Sequence, residues 1–133
     1  MNFLFQSKAA WPSYGLGIAR LLTGFFMAYH GFEIFSTEAM KTYFDWEMFK
    51  VFPSPPVAVY LGKSIELIAG VLLLIGLWTR LASLLMMIVM LYITFFVGNG
   101  QFWYMDQQPF LFVVLGWIFL TTGPGAFALD SKK

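Results

Sequence analysis

Four mostly apolar stretches divide the chain, and each approaches the length of about 20 residues that a helix needs to cross a bilayer core. The first runs from about Pro12 to Phe35, opened by Trp11-Pro12. Pro suits the first helical turn and Trp suits the headgroup layer. The second runs from about Pro56 to Trp78, after the Pro53-Ser54-Pro55-Pro56 cluster that must interrupt any helix before it. The third, Leu81 to Val97, is the least polar, and Gly98-Asn99-Gly100 breaks it. The fourth occupies about Pro109 to Thr122 and stops at Gly123-Pro124-Gly125. Only Leu77-Trp78-Thr79-Arg80 separates the second from the third, so those two form a tight antiparallel hairpin.

The connection from Ser36 to Pro55 is longer and patterned. Met40, Tyr43, Phe44, Met48, Phe49 and Phe52 recur near helical spacing, while Glu38, Lys41, Asp45 and Lys50 fall largely on the other side. The spacing predicts a helix over about Thr37 to Val51, lying in the interface plane. A structured polar loop is the other reading, because Trp46 and Glu47 fall off the stripe. The expected fold is an all-α membrane protein: a four-transmembrane-helix bundle with an interfacial amphipathic helix between spans one and two. A single domain over residues 1–133 holds it.

Composition decides the solvent. Hydrophobic residues make up 59% of the chain and charged residues 11%, against roughly 45–50% and about 25% in a soluble domain. So little charge cannot cover the apolar surface, and the expected surroundings are a lipid bilayer. The 20% aromatic content excludes a disordered tail, and a net charge of +1 supplies no basic face for nucleic acid. The absence of Cys removes disulfides, thiolate catalysis and iron–sulfur clusters. His30 is the single histidine, so neither a metal site nor a covalently bound cofactor is expected.

Orientation follows from Lys and Arg in short loops. With four spans the two termini share a side, which carries Lys8, Arg80, Lys132 and Lys133, whereas the other side carries Lys41 and Lys50. The loop from Gly98 to Gln108 has neither residue type. Both termini are therefore expected in the cytoplasm, the membrane being a bacterial-type cytoplasmic (inner) membrane crossed several times. The first apolar stretch has full-span length and holds Arg20, His30 and Glu33, which does not fit a cleavable signal.

Charges at membrane depth cost a few kcal/mol each, so they face a bundle interior and pair. Counting about 1.5 Å per residue, Arg20 lies about 12 Å deep from the cytoplasmic side and Glu66 roughly 15 Å deep from the other. That predicts an Arg20–Glu66 pair between antiparallel helices. Lys63, one turn from Glu66 on the same face, either joins the pair or snorkels outward. His30 and Glu33, near the outer end of span one, complete a polar cluster at the level of Lys63. Such a cluster either fixes helix register alone or forms a ligand-binding or proton-handling site. Gly15-xxx-Ala19, Gly24-xxx-Ala28 and Ala58-xxx-Gly62 are spacings that let backbones approach, and they predict contact between spans one and two. The Met residues and the Phe-rich later spans read as packing and lipid-facing surface.

These residues, in order, resemble the DoxX family of small four-span membrane proteins. Gly17-Ile18-Ala19-Arg20-Leu21-Leu22-Thr23-Gly24 with Phe26 and His30-Gly31 is similar to the family's first helix. Glu66-Leu67-Ile68-Ala69-Gly70 and Leu72-Leu73-Leu74-Ile75-Gly76-Leu77-Trp78-Thr79-Arg80 are similar to its second helix and turn, and Gly123-Pro124-Gly125 with Leu129-Asp130 to its C-terminal signature. Ile34 stands where the family commonly has Lys, with Lys63 the expected substitute. The resemblance implies a membrane component of a quinone-linked oxidoreductase or redox-associated complex. A quinone headgroup would accept hydrogen bonds from Arg20, Lys63 or His30, with Glu66 handling protons. Thiol-based redox partners would lie on other chains. The alternatives are a non-catalytic structural or assembly subunit of a membrane complex, or a small-molecule transporter, which would need a homo-oligomer to build a path.

Overall fold

The computed structural model describes residues 11–130 together with Leu4 and Ser7. The terminal lysines counted for orientation, Lys8, Lys132 and Lys133, lie outside the described residues. Pro at the first turn starts both α1 (Pro12–Gly31) and α3 (Pro55–Ile75), where a missing N–H costs no helical bond. α2 (Thr37–Phe44) begins at Ser36, whose hydroxyl accepts from the Ala39 amide at 3.3 Å. α4 (Thr79–Tyr92) runs on as a π-helical segment, Ile93–Val97, and α5 (Gln107–Thr122) completes the set. Among the described residues there is no strand.

The four apolar stretches thus correspond to α1, α3, α4 with its π extension, and α5. α3 and the continuous Thr79–Val97 helix are long and apolar enough to cross a membrane. α5 is apolar but shorter, and α1 is diluted by Arg20 and His30. Phe25, Ile68, Ile88 and Trp117 each expose more than half of their surface, an apolar exterior that soluble monomers avoid.

Two expectations about helix length need correction. α1 stops at Gly31, and Phe32–Phe35 is a tighter 3-10 turn. The helix expected over Thr37 to Val51 covers only Thr37–Phe44, followed by a 3-10 turn at Glu47–Phe49. Trp46 takes an extended conformation, φ −71° and ψ 132°, and stacks its ring on Phe49 at 6.2 Å. The Trp46 ring also packs edge-on against Tyr43 at 4.8 Å, so the break in the stripe at Trp46 and Glu47 coincides with the end of the helix.

α1 packs against α3, α3 against α4, and α4 against α5. The α1–α3 contact is backbone on backbone. A Cβ on Gly24 would lie 2.6 Å from the Leu74 amide nitrogen, and one on Gly31 2.5 Å from the Leu67 backbone, while one on Gly70 would strike the Ala28 backbone. Gly24 and Ala28 therefore behave as the small-residue spacing predicted. Gly15 and Gly62 do not, since a Cβ on either meets nothing within 4 Å.

α3 ends in a Schellman motif. Gly76 turns left-handed at φ 69°, its amide donating to the Leu73 carbonyl at 3.2 Å and the Leu77 amide to the Leu72 carbonyl at 3.0 Å. The C-terminal segment then folds back over this end. Leu129 and Asp130 amides donate to the Ile75 and Gly76 carbonyls, and the Asp130 carboxylate accepts from the Trp78 and Thr79 amides at 2.9 and 2.8 Å. Asp130 so caps the start of α4, where a negative charge meets amides that have no acceptor within the helix.

Candidate functional site

The register of α1 on α3 separates the two charges expected to pair. Gly24 opposes Leu73 and Leu74, Ala28 opposes Gly70, and Gly31 opposes Leu67. Glu66 is therefore level with the C-terminal end of α1, while Arg20 is level with the C-terminal end of α3. The expected Arg20–Glu66 pair does not form. Arg20 is fully buried and spends all five of its N–H donors on carbonyls. Nε donates to Pro124 at 2.9 Å, Nη1 to Leu73 and, at 3.0 Å, to Leu74, and Nη2 to Ala126 and Phe127 at 2.9 Å each. The carboxylate whose charge acts on Arg20 is Asp130. The depth count failed because it assumed that α1 and α3 end at one level, whereas the C-terminal segment covers the end of α3 beside α1.

Lys63, Glu66 and Glu33 do come together. Lys63 Nζ lies 3.1 Å from Glu66 Oε2 and 3.1 Å from Glu33 Oε2, and donates to the His30 carbonyl at 3.5 Å. Those three acceptors match the three N–H bonds of an ammonium. His30 contributes its carbonyl to Lys63, and its ring stands edge-on to Tyr29 at 6.0 Å. Of the five candidate residues, four gather at one level and Arg20 belongs to the opposite end of α3.

Tyr43 completes the group and was not singled out from the sequence beyond its place on the apolar stripe. Its hydroxyl donates to Glu33 Oε2 at 2.6 Å, and Lys63 Nζ sits 4.8 Å from its ring centroid. The available signal was spacing: one helical turn after Met40, which is fully buried, a ring with a polar tip is placed toward α3. Burial lifts the Tyr43 phenol above its ordinary range, and its bond to Glu33 lifts it further, against a smaller pull from Lys63. A phenol raised in the folded state adds stability that is complete below the ordinary phenol range and is lost as pH rises through the folded value. In an ultraviolet titration, the phenolate signal that disappears in Tyr43→Phe is expected above the ordinary phenol range, and Glu33→Gln should move it down. Titration of Tyr43 in the ordinary phenol range would contradict the bond to Glu33.

His30, Tyr43, Lys63 and Glu66 of this group form part of the wall of a cavity of about 600 Å³, which Glu33 does not line. α3 supplies Gly62, Lys63 and Glu66, the segment after α2 supplies Trp46 and Phe49, and α4 supplies Ile88 and Tyr92. The π segment and the first turn of α5 close another side, with Asp106 and Gln108 among the lining residues. The Asp106 carboxylate is held by the Asn99 and Gln101 amides at 3.0 and 2.9 Å. A mostly apolar pocket of this size with a few converging polar groups has the make-up of a small-molecule site.

The sequence profile of the DoxX family matches residues 15–99, more than half of the chain, and the protein belongs to that family of membrane proteins. The match takes in α1 to α4, and thus Arg20 and every residue of the polar group. The C-terminal segment that holds Arg20 lies beyond it. Searches of curated proteins and of solved structures return no match.

Proposed function

We propose that this DoxX protein is a membrane component of a quinone-linked oxidoreductase or redox-associated complex, with the quinone headgroup in the cavity beside Lys63 and Glu66. The observation that carries this reading is an aromatic-walled cavity with an ion pair on its wall. The donors present fit a quinone. Its two carbonyl oxygens need N–H or O–H groups; the His30 ring is one source, and the longest Lys63 bond, 3.5 Å to the His30 carbonyl, is the one a ligand oxygen can replace. Trp46, Phe49 and Tyr92 supply flat apolar walls for the ring. A bound quinone supplies electron-accepting capacity, while the chain's own residues orient its oxygens and hold a proton beside them.

In the same reading α1, α3, α4 with its π extension, and α5 are four spans of a cytoplasmic (inner) membrane, and α2 lies at its outer surface. Both termini then face the cytoplasm, so a reporter fused after Lys133 should be active only there. Activity only on the far side would invert the orientation.

The ligand test is purification in mild detergent followed by lipid extraction, which should yield co-purifying quinone. A short-chain quinone added to stripped protein should quench Trp46 fluorescence saturably. Gly62→Phe fills the cavity from a position where a Cβ meets nothing within 4 Å, so it should abolish the saturable quench without unfolding the bundle. Stoichiometric partner proteins without quinone, and quenching that never saturates, would replace this reading with the assembly-subunit one.

A further inference from the structure

We propose that Glu33, Lys63 and Glu66 form a proton path between the membrane surface and the cavity, with Glu33 as the entry group and Glu66 as the terminal donor. Burial is graded along the three: the Glu33 side chain is 32% exposed, Lys63 11% and Glu66 6%. The contacts are continuous, because one ammonium touches both carboxylates at 3.1 Å.

Charge makes the arrangement proton-hungry. A single Lys63–Glu66 pair would balance itself, but two carboxylates around one ammonium leave one negative charge in excess. Beside apolar walls that excess favours binding one proton, as two carboxylates sharing a site do. The other titratable groups facing the triad are His30 from α1 and Tyr43 from α2. From α4 the cavity wall is Ile88, Val89, Met90 and Tyr92, and Asp106 is already held by backbone amides.

The transfer balances without a co-reactant. Lys63 gives a proton to the Glu66 carboxylate and takes one from the Glu33 carboxylic acid. Lys63 ends as the ammonium it began as, Glu66 becomes the acid, and water at the surface reprotonates Glu33. Tyr43 holds Glu33 in place by donating to the oxygen that faces Lys63. The proposal rests on the quinone reading only for where the proton goes from Glu66.

Infrared titration of the whole chain in lipid nanodiscs, with no quinone added, tests the path apart from that reading. Acidification should produce a buried carboxylic-acid band that is absent in Glu66→Gln. On transfer to heavy water that band should exchange its proton quickly in the wild type. Glu33→Gln and Lys63→Met should keep the band but slow its exchange on the order of 10²-fold, the low end of what a positioned proton donor contributes. Lys63→Arg, which keeps the charge but does not release a proton, should be as slow and guards against misfolding of Lys63→Met. Glu38→Gln removes an exposed carboxylate of α2 that lies outside the triad, so its exchange should stay close to wild type. Wild-type exchange rates in Glu33→Gln and Lys63→Arg overturn the proposal, as does a wild type with no Glu66 band, or equal slowing in Glu38→Gln. Failure of quinone to bind would leave the exchange result standing, and the reverse also holds.

Discussion

Replacing Arg20 by Ala is expected to destabilise the protein by on the order of 3–5 kcal/mol, the range for removing one side of a buried charged network. Five carbonyls lose their donor at once: two at the end of α3 and three in the segment from Pro124 to Phe127. A buried carbonyl left without a partner carries its own desolvation cost, and Asp130 loses the cation that acts with it. Arg20→Lys should recover only a minor part, because an ammonium has three donors where the guanidinium has a planar fork of five. The partner can be identified by double-mutant cycles read from unfolding in mixed micelles. Arg20→Ala combined with Asp130→Asn should depart from additivity, since both act on the joint between α3, α4 and the C-terminal segment. Arg20→Ala combined with Glu66→Gln should be additive within about 0.5 kcal/mol, as for residues that share no contact. A larger coupling between Arg20 and Glu66 would mean that the α1–α3 register differs from the one described.

The helices were legible in the sequence because apolar runs with Pro at their starts and Gly at their ends leave the backbone few choices. Pro12 starts α1 where that rule puts it, whereas α3 starts at Pro55 rather than Pro56 and stops at Ile75, before Gly76, rather than running to Trp78. Which ionisable residues meet was only partly legible. Lys63 and Glu66 are three residues apart on one helix, so their contact needs nothing beyond helical geometry. Arg20 and Glu66 lie on different helices, and their heights depend on an offset that the sequence states only through small residues. Gly24, Gly31 and Gly70 encode that offset, but Gly15 and Gly62 look the same on paper and face open space. The bonds of Arg20 to the C-terminal segment were out of reach for another reason. Their acceptors are backbone carbonyls, which every residue has, so no side-chain pattern announces them. Tyr43 was hidden by its double nature, its ring fitting the apolar stripe and its hydroxyl binding Glu33.

The same glycines yield the other large expected effect. Gly70→Ala should be severely destabilising, beyond the 1–3 kcal/mol typical of overpacking, because the new methyl meets the Ala28 and Met27 backbones. A flexible side chain could move aside, but a helix backbone yields only by moving all of α1. Gly31→Ala should behave in the same way, its methyl facing the Leu67 backbone at 2.5 Å. Gly15→Ala and Gly62→Ala are the controls, each placing a methyl in open space. There the helix preference of Ala over Gly, roughly 1 kcal/mol, should leave stability unchanged or raised. Displacing α1 from α3 would also move Glu33 on its 3-10 turn away from Lys63 on α3. Gly31→Ala should therefore lower the Tyr43 phenol toward its ordinary range by loosening Glu33, whereas Gly15→Ala should leave it raised. Equal melting points for Gly70→Ala and Gly62→Ala would show that α1 and α3 are not packed through these glycines, and the level at which Lys63 meets both carboxylates would then need a different register.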